Sequence, residues 1–288
     1  MRTQNSSTDP QNKKFVIHMH NLISGIKTHI GKLTSNRRKL QFGFYLNEFG
    51  LRAQYMARNH IKSIYPELSG DFYYQNLLDL HKKISHELQK QMKEYPHFIY
   101  EQGFPYQALN ILGIYGIRPT ETRFSEYGLS ELIGKGDRIL DIGCNCGFML
   151  VYTSYRTGCS GDGIDINPYM INIGNHVAEF LGVSKKINLS AQRFQDFQPS
   201  GKYTVIFSFA THWTDDEQLR PDFYEYMHQL YTILSDNGLL IFESHTADIG
   251  NKTFYDQLEL QKKYFSWSGS KMLNNNRREL FIMRKKSG

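Results

Sequence analysis

The chain has 288 residues, of which 40% are hydrophobic and 22% charged, and its formal net charge is +6. These values are ordinary for a water-soluble folded protein, and no apolar run approaches the roughly 20 residues that cross a bilayer. The three cysteines, Cys144, Cys146 and Cys159, are too few and too clustered for a disulfide framework or a structural zinc site. The sequence therefore predicts a cytoplasmic protein without a membrane span.

The N-terminal part of the chain is polar at first and then helical in pattern. Residues 1–12 are rich in Ser, Asn, Gln and Pro, which predicts a disordered leader. Residues 13–115 are predicted to form a helical cap, with helices over 13–33, over 39–64 and from a cap at Asp71 to Pro96. Residues 1–100 hold 15 Lys and Arg against 7 Asp and Glu, whereas the remainder holds 19 against 21. This basic charge either steers an anionic substrate or is a solvated helix surface.

From Asp137 onward, short apolar runs alternate with helical stretches, which predicts an α/β core over residues 116–288. The predicted strands are Arg138–Ile142, Ser160–Ile164, Ile187–Ala191, Tyr203–Phe209, Leu239–Glu243 and Arg278–Arg284, with Tyr264–Trp267 as a partner of the last. The predicted helices are Phe148–Arg156, Pro168–Leu181 and Asp222–Leu234. This order is typical of a doubly wound, mostly parallel sheet of seven strands with an antiparallel edge strand.

The first core strand carries Asp141 at its end, and a glycine loop with Gly143, Cys144, Asn145 and Gly147 follows it. Glycine permits a sharp turn and a close approach of a ligand to the backbone. A dinucleotide fingerprint would have glycine in place of Asn145, and a phosphate loop would continue with Gly-Lys-Ser/Thr, so neither motif fits. Asp165 ends the next strand, 24 residues after Asp141, where a carboxylate accepts hydrogen bonds from a ribose diol.

The run Leu-Asp-Ile-Gly-Cys-Asn-Cys-Gly resembles the first motif of class I S-adenosylmethionine (SAM)-dependent methyltransferases. The resemblance covers roughly residues 118–245 and implies SAM as the cofactor. It implies the following cofactor-binding residues: Asp141, Gly143, Cys144, Asn145 and Gly147 in the loop, Asp165 at the ribose, Ile166, Asp196 and Phe197 at the adenine, and Ser208 at the end of the fourth strand.

By the same resemblance, the ends of the fourth and fifth core strands lie beside the reaction centre. A hydroxyl acceptor needs a base, for which His212 is the first candidate and His245 the second, with Glu243 orienting either of them. Structural alternatives are open for each, such as a strand-end anchor for Glu243. A metal site that combines these residues with Asp248 is a weaker alternative, because the spacings are not diagnostic, and no metal is predicted.

Residues on both sides of the core are predicted to bind the acceptor. Arg118 and Arg123 would hold an anionic group through paired N–H donors, and Tyr127 and Trp213 would form walls; residues 103–107 are a similar candidate. The alternative for the arginines is a set of intrachain Arg–Glu pairs. The predicted function is O-methylation of a small-molecule or glycan-type acceptor. RNA methylation, which the basic N-terminal half allows, and a catalytically silent SAM-binding partner protein are the alternatives.

Overall fold

A computed structural model describes residues 71–94, 105–114, 116–213 and 222–287. The predicted leader and the predicted helices over 13–33 and 39–64 lie outside these residues. In the part of the chain that is described, no helix has the length and apolarity needed to span a bilayer.

The described residues form seven α-helices, five short 3-10 helices and ten strands. The α-helices are α1 (Asp71–Glu94), α2 (Thr120–Glu126), α3 (Leu129–Leu132), α4 (Phe148–Thr157), α5 (Pro168–Phe180), α6 (Phe223–Ile233) and α7 (Lys252–Leu260). The strands are β1 (Gln107–Ala108), β2 (Arg118–Pro119), β3 (Arg138–Ile142), β4 (Ser160–Asp165), β5 (Ile187–Ala191), β6 (Tyr203–Phe209), β7 (Leu234–Glu243), β8 (Phe265–Ser266), β9 (Ser270–Leu273) and β10 (Arg278–Lys285).

Eight of these strands form one sheet with the order β5-β4-β3-β6-β7-β10-β8, and β9 also pairs with β10. Strands β3 to β7 run parallel, whereas β10 is antiparallel to β7 and to its two short partners. The short strands β1 and β2 pair separately. The doubly wound sheet with an antiparallel edge is therefore confirmed, with β9 as an additional short strand.

The sheet is covered on both faces, because successive side chains of a strand point to opposite sides. Ile139 and Phe207 belong to the apolar cluster that contains residues of α1, α4 and α5. Leu140 and Ile206 belong to the opposite cluster, which contains residues of α6 and α7. Two helical layers around a mostly parallel sheet thus account for its nearly continuous apolar strands.

The strand β7 begins at Leu234, five residues earlier than Leu239, where it was predicted to begin. The run Ser-Asp-Asn-Gly reads as a turn, and Asn237 does adopt a left-handed conformation with a φ of 59°. The structure accommodates this run inside the strand, where the β6–β7 register shifts between Tyr203 and Val205. A sequence pattern cannot distinguish such an irregularity from a loop, since both use the same residue types.

The packing of α5 against the glycine loop leads to a stability prediction. A Cβ on Gly174 would lie 2.2 Å from the carbonyl oxygen of Cys146 and 2.5 Å from Cδ1 of Leu189. We expect Gly174→Ala to lower the free energy of unfolding by about 2 kcal/mol, although alanine is the better helix former. Urea unfolding measures this, with Gly136→Ala as the control because a Cβ there meets nothing within 4 Å. Equal midpoints for the two variants would contradict this packing.

Candidate functional site

The glycine loop lies at the carboxyl edge of the sheet, where open α/β sheets bind ligands. Gly143 and Gly147 both have positive φ, 62° and 64°. A Cβ on Gly143 would lie 2.3 Å from Cγ2 of Thr211, and one on Gly147 would lie 2.8 Å from Cδ2 of Leu189. Both positions therefore require glycine for backbone conformation and for space.

A buried glutamine holds this loop from the N-terminal side. Oε1 of Gln107 accepts a hydrogen bond from the N–H of Phe148 at 2.8 Å, and its Nε2 donates to the carbonyl oxygen of Cys144 at 3.0 Å. Phe148 begins α4, so this bond satisfies one of the N–H groups that a helix start leaves unpaired. The sequence singled out residues 103–107 for their aromatic rings and missed this role, since a lone glutamine has no sequence signature.

Asp165 is fixed beside the loop by two backbone amides. Its Oδ2 accepts from the N–H of Asn145 at 2.8 Å, and its Oδ1 accepts from the N–H of Asn167 at 2.9 Å. Asn145 adopts a left-handed conformation with a φ of 54°. The next side chain, Ile166, is 41% exposed, so a carboxylate and an open apolar surface adjoin at the end of β4.

Asp141 is a buried acid at the end of β3. Its Oδ2 has no hydrogen-bond partner among the described residues, and the residue is only 2% exposed. Burial raises the pKa of Asp141 to about 8, with the nearby charge of Asp165 adding to the effect and that of Arg123 opposing it. An unpaired buried carboxyl oxygen is costly, which indicates a cationic or donating partner at this position.

Two of the residues predicted to contact adenine, Asp196 and Phe197, lie in the turn after β5. The Asp196 carboxylate pairs with Nε of Arg193 at 2.8 Å, and the Phe197 N–H donates to a carbonyl of the same turn at 3.1 Å. Gln192, which the sequence analysis missed, directly follows β5, and its N–H donates to the Asp165 carbonyl oxygen at 2.9 Å. Asp196, Phe197 and Gln192 line a cavity of about 380 Å³.

Ser208 lies inside the protein. Its hydroxyl bonds to the Tyr226 hydroxyl at 2.8 Å and to Oγ1 of Thr211 at 3.2 Å, and it is fully buried. Burial raises the pKa of Tyr226 to about 12, so this hydroxyl keeps its proton. The side chain of Ser208 thus holds Thr211, which lies against Gly143 of the loop, and its predicted contact with the cofactor stays a prediction.

Glu243 ends β7 at the centre of a buried charge cluster. Nη2 of Arg118 lies 2.8 Å from its Oε1, and Nη2 of Arg123 lies 2.9 Å from its Oε2, which also accepts from the Tyr127 hydroxyl. Nη1 of Arg278 lies 3.8 Å from Oε1. Burial alone would raise the pKa of Glu243, but these cations outweigh it and lower the pKa. The cluster unites residues predicted separately for catalysis and acceptor binding.

Arg123 and Tyr127 are fully engaged inside this cluster. Nε of Arg123 donates to the Tyr127 hydroxyl at 3.0 Å, and its guanidinium lies 4.9 Å from the centre of the Phe209 ring. These contacts attach α2 to the ends of β6 and β7. For Arg123 the geometry is that of the intrachain Arg–Glu pair, which the sequence left open as an alternative.

His212 and Trp213 converge on Asp248. Nε2 of His212 lies 2.9 Å from Asp248 Oδ2, Nε1 of Trp213 donates to Oδ1 at 2.6 Å, and the His245 N–H donates to Oδ2 at 2.6 Å. Burial would raise the pKa of Asp248, but the bonds from His212 and Trp213 outweigh it and lower the pKa. Because the ionised Asp248 carboxylate can only accept, the proton of a neutral His212 is assigned to Nε2, the ring nitrogen that faces it. The sequence considered Asp248 only as a metal ligand.

His212 and His245 differ in how accessible they are from the carboxyl edge of the sheet. The His212 side chain is 2% exposed and packs against the rings of Phe223, Phe242 and Phe254. His245 and Trp213 are partly exposed, with ring centres 5.2 Å apart, and Nδ1 of His245 accepts from the Ala247 N–H at 3.1 Å. Across the described ranges, no three His, Cys, Asp or Glu side chains are grouped as a metal site.

The Glu243 cluster leads to a prediction of pH-dependent stability. Glu243→Gln leaves Arg118 and Arg123 without their carboxylate, which costs about 3–5 kcal/mol for a buried pair, so we expect a lower Tm at neutral pH. Because the folded-state pKa is lowered, this stabilisation is present above the ordinary value of 4.5 and is lost as the pH falls through the folded pKa. The difference in Tm should therefore shrink on acidification.

The control for this measurement is Glu259→Gln, which removes an exposed carboxylate that pairs with Lys262. We expect it to leave the Tm nearly unchanged, because exposed pairs contribute little. A Tm difference for Glu243→Gln that is the same at every pH would contradict the assigned ion pairs.

Comparison with known proteins agrees with this geometry. A family described as a methyltransferase domain matches residues 117–278, more than half of the chain. Malonyl-[acyl-carrier protein] O-methyltransferase 1 from Ilyobacter polytropus is 31% identical over 122 residues, which are 42% of this chain and 41% of the relative. Geranyl diphosphate 2-C-methyltransferase from Streptomyces lasalocidi is 27% identical over 107 residues, 36% of this chain and 34% of that protein. The chain thus matches less than half of the length of each of these relatives.

Among solved structures, a SAM-dependent methyltransferase from Thiobacillus denitrificans in complex with S-adenosylhomocysteine is 17% identical, with a TM-score of 0.44 over 54% of this chain and 68% of that chain. The family match, the loop and the sheet order lead to one conclusion: the chain belongs to the class I SAM-dependent methyltransferases.

Proposed function

We propose that the enzyme methylates an oxygen atom of a small-molecule or glycan-type acceptor. The observation that carries this proposal is the buried Oδ2 of Asp141 beside the glycine loop, which has no hydrogen-bond partner in the described part of the chain and suits a cationic cofactor. SAM supplies a methyl group on a positively charged sulfonium. The name of one relative, an O-methyltransferase of malonyl-[acyl-carrier protein], supports oxygen as the methylated atom.

The cofactor side of the site is assigned to the ends of β3, β4 and β5. Asp141 faces the cationic part of the cofactor, and the turn from Gly143 to Gly147 keeps side chains away from it. Asp165 binds the ribose, since its carboxylate is already fixed by two amides. Ile166 packs on the adenine, and Gln192 joins Asp196 and Phe197 at its edge.

The acceptor side is assigned to the rim formed by Trp213 and His245. Methyl transfer is an in-line displacement, so its rate depends on how well the acceptor oxygen is aligned. With its proton on Nε2, His212 has an unprotonated Nδ1 that could act as a base. Its burial separates it from this rim, so we assign it as a positioning residue. Through Asp248 it holds Trp213 and the His245 backbone in place.

The raised pKa of Asp141 leads to a pH-dependent affinity. Its carboxylate forms as the pH rises through about 8, and a carboxylate attracts a cationic ligand more strongly than a neutral carboxyl does. We expect S-adenosylhomocysteine, which carries an ammonium group, to bind more tightly as the pH rises from about 6 to about 8.5. Calorimetric titration measures the Kd, and Asp141→Asn should bind more weakly with a flat pH profile. An unchanged profile in the variant would contradict this assignment.

The role of His212 is tested by separating cofactor binding from turnover. We expect His212→Asn to keep the Kd of S-adenosylhomocysteine while kcat/KM for the acceptor falls by about 10- to 100-fold through misalignment of the rim. The pH profile of the residual activity should match that of the wild type. His228→Asn, on the exposed face of α6, is the control. If a pH limb of the wild-type profile vanishes in His212→Asn, the residue acts as the base.

The acceptor class is tested by a direct screen. Labelled SAM is incubated with the protein and separate pools of carboxylic acids, hydroxylated metabolites, oligosaccharides and RNA. Alkali-labile or ether-linked methyl groups on the small molecules or oligosaccharides are the expected products. Methyl transfer to RNA alone, or to nitrogen or carbon, would overturn the proposal.

A further inference from the structure

The Glu243 cluster contains more positive than negative charge. Three guanidinium groups, from Arg118, Arg123 and Arg278, surround one carboxylate. Arg123 is satisfied by Glu243, Tyr127 and an aromatic ring. The remaining two arginines share the Oε1 atom of Glu243, at 2.8 and 3.8 Å, so their guanidinium groups are close neighbours of like charge.

Arg278 has an unused donor in the protein interior. Its Nη1 donates to the Ser244 carbonyl oxygen at 3.0 Å, whereas its Nε is buried and has no hydrogen-bond partner among the described residues. Glu279 does not neutralise it, because adjacent strand residues point to opposite faces and its carboxylate accepts from the Tyr255 hydroxyl at 2.7 Å. Native proteins rarely leave a buried donor unpaired, which indicates that an acceptor other than the described residues reaches it.

Arg118 has a similar environment. In the part of the chain that the structure describes, its side chain makes one hydrogen bond, from Nη2 to Glu243. The side chains of Arg118 and Arg278 are 15% and 13% exposed, so both are mostly desolvated but reachable. In such surroundings a guanidinium binds an oxyanion strongly, since its planar N–H donors match two oxygens at once.

We infer that Arg118 and Arg278 form an oxyanion-binding subsite, held in place by Glu243, for a carboxylate or phosphate group at the methyl-transfer centre. The inference rests on the proposed function and narrows its ligand chemistry. Such a group has two sources: the carboxylate of the cofactor's methionine part or an anionic group of the acceptor. In either case Glu243 fixes both guanidinium groups while leaving a net positive charge between them.

The first arm of the test determines whether the subsite binds the carboxylate of the cofactor. Calorimetry compares S-adenosylhomocysteine with 5′-methylthioadenosine, which lacks the amino acid part, on the wild type, Arg118→Gln and Arg278→Gln. If the subsite holds the cofactor's carboxylate, both variants bind S-adenosylhomocysteine at least about tenfold more weakly and bind 5′-methylthioadenosine unchanged. Arg284→Gln, an exposed arginine of the same strand, is the matched control for loss of charge.

The second arm determines whether the subsite binds an anionic group of the acceptor. Succinate and inorganic phosphate are titrated separately into protein saturated with S-adenosylhomocysteine. If the subsite holds an acceptor group, the wild type and Arg284→Gln bind at least one of the two anions, and both subsite variants bind it at least about tenfold more weakly. Arg118→Lys keeps the charge and loses the planar donor set, so it should restore only part of the affinity.

The outcomes separate this inference from the proposed function. If the two subsite variants match Arg284→Gln in both arms, the subsite does not exist, although cofactor binding stands. If the wild type binds neither nucleoside, the proposed cofactor site itself fails. Thermal unfolding shows whether Arg278→Gln is folded. If Arg278→Gln is unfolded, the test is decided by Arg118→Gln, whose position is the more exposed of the two.

Discussion

The negative charge of a buried carboxylate must be balanced by nearby positive charge, and the carboxyl edge of the sheet is arranged around that constraint. Glu243 at the end of β7 is 1% exposed and stays ionised because cations from three different parts of the chain reach it. Those cations come from β2, α2 and β10, which are far apart in sequence. The ion pairs therefore fix β2 and α2, which precede the first core strand, against the parallel strand β7 and the antiparallel strand β10.

The segment from β1 to α2 gains a second attachment through Gln107. Its side-chain amide bonds to the glycine loop on both sides of the turn, at the Cys144 carbonyl oxygen and the Phe148 N–H. One short stretch of chain thus contacts both the cofactor loop and the end of β7. Because the same segment touches both regions, a shift in it would alter the cofactor loop and the acceptor side together.

Two buried acids at this edge have opposite pKa shifts, and the difference follows from their partners. One oxygen of Asp141 has no donor among the described residues, and burial raises its pKa. Glu243 is surrounded by guanidinium groups, so its pKa is lowered in spite of burial. A raised pKa beside a ligand loop is typical of a group whose charged partner is a ligand, whereas a lowered pKa of a carboxylate surrounded by guanidinium groups is typical of an anchor.

The sequence by itself determined the class of the fold and predicted the location of the site. Apolar periodicity identified the five parallel strands, β10 and the helices α4 to α6, and the order of Asp141, the glycine loop and Asp165 predicted a ligand at the strand ends, because these signals are local. It missed the helix α7 and the short strand β9. It also missed the first half of β7, since a turn-like run inside a strand has the composition of a loop.

Only the tertiary structure decided which side chains meet. Arg123 and Glu243 are 120 residues apart, and Gln107 lies 41 residues before Phe148, so no local pattern records either contact. The same holds for His212, which reads as a reactive residue in the sequence but is enclosed by rings from α6, β7 and α7. Exposure and partnership are properties of packing between distant segments, and for that reason the roles of these residues could be assigned only from the folded chain.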